Sequence, residues 1–162
     1  MKAIKEYKRL SEANVCAILY KNPDLLRQSN LTDKDFSRNE WKVYFTIIFD
    51  IIIKERKNTI DDVIVGIYLE KHPKLRERYD EYGGWETIVN AGKYVKEETF
   101  DGYVRDLRKW EAVLSLCKKG WVSKAKLSAY ADMSTEEIYD EFKIFLNESK
   151  IGRAVQQECR DR

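Results

Sequence analysis

With only two prolines and seven glycines in 162 residues, little in this chain interrupts a helix, and the interruptions fall where helices should end. Asn22-Pro23 closes a first helix predicted from about Ser11 to Lys21, because proline cannot continue the preceding helix but suits the first turn of the next. His72-Pro73 ends a second apolar stretch, and Gly83-Gly84 supplies a left-handed stop between two short helices that carry Leu75 and Tyr79, then Trp85, Ile88 and Val89. The run Ile51-Ile52-Ile53 favours a strand by its β-branching, but no second alternating segment exists to pair with it. The fold class predicted is all-α.

Helix starts are written as clearly. Ser37-Arg38-Asn39-Glu40 matches a capping box and opens a long helix through Trp41, Phe45, Ile48, Phe49 and Ile52. Thr59-Ile60-Asp61-Asp62 places two carboxylates at a helix start, with Val63, Ile64, Ile67 and Tyr68 expected to face inward. Ser134-Thr135-Glu136-Glu137 is a second capping box, opening a last helix with Ile138, Phe142 and Phe145 on one face and Tyr139 and Leu146 beside it.

Between these lies an apolar seam, Tyr103, Leu107, Trp110, Leu114, Cys117 and Trp121, spaced alternately four and three residues apart. That period predicts one stripe on a single long helix, broken near Ala131-Asp132-Met133, and a stripe this narrow reads as an assembly surface. The expected organisation is a flexible arm over 1–10, a head of short helices over 11–98, an antiparallel helical hairpin over 99–149, and a tail or linker start over 150–162. Tyr103, Leu107, Trp110, Leu114, Trp121, Ile138, Phe142 and Phe145 would form the hairpin and its dimer contact.

Composition narrows the function classes. Thirty Lys+Arg against 28 Asp+Glu give a formal net charge of +2, too small to draw in nucleic acid over long range, so any such contact needs a local patch. Lys118, Lys119, Lys124 and Lys126 are the candidate patch for nucleic acid or a partner, set against the alternative of a solvated helix surface. Cys16, Cys117 and Cys159 are odd in number and far apart, which suits reduced thiols of a cytoplasmic protein. No run approaches the roughly 18 uninterrupted apolar residues of a membrane span.

Chemistry-bearing groups are sparse. His72 is the only histidine and lacks neighbours for a metal or triad role; Asp61-Asp62, Glu97-Glu98 and Glu136-Glu137 sit where helix dipoles favour carboxylates. No G-x-x-x-x-G-K-[ST] pattern occurs, so no ATP hydrolysis is expected, and no catalytic residue, metal ligand or cofactor is assigned. The expected role is non-catalytic.

The run Glu12-Ala13-Asn14-Val15-Cys16-Ala17-Ile18-Leu19, followed by Asn22-Pro23-Asp24-Leu25-Leu26, resembles the opening helix and turn of the N-terminal domain of DnaB-type replicative helicases. Further matches follow in order: Phe36 before the helix with Ile48 and Ile52, Ile60-Asp61 opening a helix that ends in Leu69, Gly83-Gly84, and Tyr103 near the start of the seam. The resemblance covers about Ser11 to Leu146. It departs at Lys96-Glu97-Glu98-Thr99-Phe100, where the family often has a small, Asn-containing segment that bears on primase or loader contacts.

That resemblance implies a helical globule plus hairpin, with hairpins pairing into a collar of dimers over a hexameric motor. The implied partners are further copies of the chain, primase and a helicase loader, with DNA met weakly or through the parent helicase and no membrane. ATP and Mg would serve only the motor, which would follow the tail. Two other classes stay open from sequence: a stand-alone phage regulator that captures a host helicase or loader, and a small DNA-binding helical module.

Overall fold

A computed structural model describes residues 2–122 and 126–144. All regular structure among them is helical. The elements are α1 (Lys2–Lys21), α2 (Asp24–Gln28), α3 (Glu40–Phe49), α4 (Asp62–Glu70), α5 (Pro73–Glu81), α6 (Gly84–Gly92) and α7 (Phe100–Lys118), then α8 over 135–144. The chain divides into two compact units, Met1–Ser115 and Leu116–Arg162.

The first unit is built on α1, which α3 and α6 pack against. Residues 2–10, expected as an arm, are the first half of this helix. Its inner stripe runs Ile4, Lys8, Ser11 and Glu12, Val15, Ile18 and Leu19, a helical period that buries each of them. A lysine in mid-stripe hid the pattern from a purely apolar reading. Two further buried residues, Cys16 and Tyr20, complete the contact with α3, the Tyr20 hydroxyl donating to the Tyr44 carbonyl at 2.8 Å.

The start of α3 differs from the sequence expectation, and α1 is the reason. Asn39 is the N-cap, its side-chain oxygen accepting from the Trp41 N–H at 2.9 Å. The Ser37 N–H donates instead to Glu12 on α1 at 2.6 Å, and the Asn39 amide donates to the other oxygen of the same carboxylate. Glu40, expected to reach back to Ser37, accepts from Arg9 at 2.6 Å. A local box thus yields to charge-assisted contacts across the core.

At its far end α3 widens into a π-turn over Asp50–Lys54, where the Glu55 N–H donates to the Asp50 carbonyl at 2.9 Å. The consecutive Ile51 and Ile52 are both buried there, so the isoleucine run is helical as expected. In α4, Asp61 is the N-cap, accepting from the Ile64 N–H. The buried face, however, is Val65, Tyr68 and Leu69, while Val63 and Ile67 are exposed. The helix is apolar on most sides, and what orients it is the Tyr68 hydroxyl, which donates to Asp50.

Gly83 (φ 92°) and Gly84 (φ 59°) make the left-handed link from α5 to α6. The Tyr44 hydroxyl reaches this link, 3.0 Å from the Gly84 carbonyl and 3.2 Å from that of Tyr82. Phe36 stacks on Phe45 at 4.3 Å between centroids, closing a core that extends through Ile47, Ile48, Leu69 and Ile88 to Phe100 and Leu107. The division between units therefore falls inside α7 rather than near residue 98, because the first turns of α7 belong to the head.

In the second unit, the Ser134 box forms as written: the Glu137 N–H donates to Ser134 Oγ at 3.1 Å, and the Ser134 N–H to Glu137 Oε2 at 2.6 Å. Val122, Leu127, Tyr130, Ile138 and Phe142 are buried, with the Tyr130 and Phe142 rings 6.4 Å apart. Helix α7 ends at Lys118 and α8 begins at 135, and near Ala131, the expected place of a hairpin turn, the described residues form a 3-10 turn over Ala129–Ala131.

Candidate functional site

The seam splits into two parts with different surroundings. Leu107 is fully buried in the head core, with Tyr103 and Val104 packed against it. Trp110 is buried and stacks on Tyr7 of α1, centroids 5.4 Å apart and planes at 29°. Next to it Lys8, buried on α1, meets Glu111 and also pairs with Glu12 at 3.4 Å. Lys109 lies over the Trp110 ring at 4.8 Å. This stretch of α7 is fastened to the head by an aromatic stack and a partly buried ion network, so these seam residues serve packing within the chain. Leu114 is buried as well.

Trp121, expected on the same stripe, lies beyond the helix. Gly120 takes a left-handed φ of 71°, the Trp121 N–H donates to the Leu116 carbonyl and the Gly120 N–H to that of Cys117, both at 3.1 Å. This paired pattern is a Schellman stop, and its signal, two lysines followed by glycine, stood in the sequence. Trp121 is 42% exposed. Tyr139 and Ile144 on α8 are more than half exposed, while Ile138 and Phe142 are buried. Phe145 lies outside the described residues.

Of the lysine patch, Lys118, Lys119 and Lys126 are exposed, and Lys124 lies outside the described residues. Lys119 sits over the Trp121 ring at 5.4 Å, and Lys126 pairs with Glu141 at 3.6 Å. His72 is exposed with its ring stacked on Tyr68 at 4.3 Å. Among the described residues no group of three histidine, cysteine or acidic side chains could hold a metal ion, and no helix is long and apolar enough to cross a membrane. Cys16 is buried, its thiol 3.6 Å from the Trp41 carbonyl, and desolvation pushes its pKa well up, so it stays a protonated thiol. Cys117 is partly exposed and shifted upward by the same cause.

Sequence reasoning missed two surface features because each joins residues far apart in the chain. A mostly apolar groove of about 330 Å³ runs between α1 and α6, floored by Ala17, Trp85 and Ile88 and flanked by Lys21 and Lys93. A larger cavity opens between α3 and α5, with Arg38, Lys42 and Arg78 at its wall.

No protein-family profile, curated protein or solved structure matches the chain.

Proposed function

We propose that this chain is the non-catalytic N-terminal collar domain of a DnaB-type replicative helicase, holding helicase subunits together and docking primase or a helicase loader. The observation that carries this reading is the order of elements. Helices α2 to α6 close one core with α1, and the 19-residue α7 then leads from that core into a second helical unit. The resemblance over Ser11 to Leu146 calls for that order.

In this reading the self-association surface lies in the second unit and not on the first half of the seam. Leu107 and Trp110 are consumed within the head, whereas Trp121, Tyr139 and Ile144 present aromatic and aliphatic surface to solvent. Aromatic side chains of this kind serve as anchors in protein interfaces. ATP and Mg belong to the motor of the parent protein in this reading, not to this chain.

Mixing the chain with purified primase, and separately with purified loader, from one replication system tests the docking role. A co-eluting complex of defined mass in size exclusion with light scattering is the expected result. Failure to bind either protein, together with failure to self-associate, would overturn the reading.

A further inference from the structure

The cavity between α3 and α5 measures about 460 Å³ and is lined by Arg38, Asn39, Lys42, Val43, Thr46, Leu75 and Arg78. Every charged residue in that lining is a cation, in a chain whose overall charge is nearly balanced. Lys42 is partly engaged, 3.6 Å from Asp33, which lies outside the lining. Arg38 and Arg78 are exposed, and neither forms an ion pair among the described residues. Among the other arginines of the head, Arg9, Arg27, Arg76 and Arg108 pair with carboxylates, while Arg56 and Arg105 form no ion pair among the described residues. Arg38 and Arg78 bring two guanidiniums without an ion pair among the described residues to one cavity.

We infer that this cavity is a nucleotide site, in which Arg38, Lys42 and Arg78 hold the phosphate and the Val43 and Leu75 surface takes the base or sugar. Guanidiniums match phosphate oxygens in pairs of parallel hydrogen bonds, which suits Arg38 and Arg78 to the anion. The volume exceeds what one phosphate needs and falls within the range of small-molecule sites. The lining joins cations to an apolar floor and to the polar side chains of Asn39 and Thr46, which fits a phosphate carried on an organic group better than a bare anion. The same chemistry comes from two sources, a free nucleotide or one unit of a single strand. This inference stands on the head alone and does not depend on the collar reading.

The test measures binding of fluorescein-labelled oligothymidylate by anisotropy and of ADP by calorimetry, both in low salt without divalent metal. Saturable binding of either probe is expected, weakened about tenfold or more by Arg38→Ala/Arg78→Ala and reduced as salt rises. Both arginines are exposed, and an unchanged thermal melt of the variant separates lost binding from lost fold. Binding of ADP alone assigns a free nucleotide, and binding of the oligonucleotide without ADP assigns a strand; both support the site. No saturable binding of either probe overturns it. So does binding that the arginine variant leaves intact while Lys118→Ala/Lys119→Ala abolishes it.

Discussion

The two units use apolar residues to opposite ends. In the head, even charged groups are drawn inside: Lys8 and Glu12 are almost wholly buried, and Trp110 is covered by Tyr7. In the second unit, Trp121, Tyr139 and Ile144 stay in solvent although the unit has its own buried residues in Tyr130, Ile138 and Phe142. One heptad-like spacing runs across both. Periodicity therefore reports that a helix has an apolar stripe, not what covers it, and the cover is set by which other elements the chain can bring up.

That contrast breaks most readily at Glu12. Glu12→Ala removes one partner of buried Lys8 and the acceptor for the Ser37 and Asn39 donors, so chemical denaturation should show a loss of about 3 kcal/mol or more. Leu107→Ala opens a cavity at a fully buried site and should cost about 2–5 kcal/mol by the same measurement. Gly83→Ala should cost about 1–2 kcal/mol, since φ is 92° and the added Cβ would come within 2.5 Å of Thr87 Oγ1. Trp121→Ala and Tyr139→Ala, by contrast, should change stability by no more than about 0.5 kcal/mol. A large stability loss from either would show that the second unit needs these side chains for its own fold.

A pH series sharpens the comparison further. Desolvation raises the pKa of the Tyr20, Tyr44, Tyr68 and Tyr79 hydroxyls, and the bond to Asp50 adds to it for Tyr68. The folded head keeps these protons where the unfolded chain begins to release them, near pH 10, so the unfolded state binds fewer protons above that point. Their contribution is fully present below pH 10 and declines as pH climbs beyond it, and the melting temperature should fall accordingly. Thiol labelling gives a companion readout. In a Cys159→Ser background, Cys117 should react in the native protein and Cys16 only after unfolding.

How much was legible in the sequence follows from how local each signal is. Pro23, Pro73, Gly83, Asp61 and the Ser134 box act within a few residues of themselves, and each marks the boundary expected of it. Ser37 failed because Glu12, 25 residues earlier, takes its N–H. The face of α4 failed because an all-round apolar helix carries no preferred stripe, and the choice rests on Tyr68 meeting Asp50. The end of α7 was written at Gly120 but outweighed by the continuing period to Trp121. The cations of the α3–α5 cavity were out of reach altogether, since Arg38 and Arg78 come to line one cavity only once the head has closed.

The proposed collar role rests on assembly through the second unit. Sedimentation equilibrium over a wide concentration range, on the wild type beside Trp121→Ala and Tyr139→Ala, addresses it most directly. The expected result is a dimer or larger species that the two substitutions weaken without lowering the melting temperature. A wild type that stays monomeric at the highest concentration, or an assembly that both substitutions leave untouched, would contradict it.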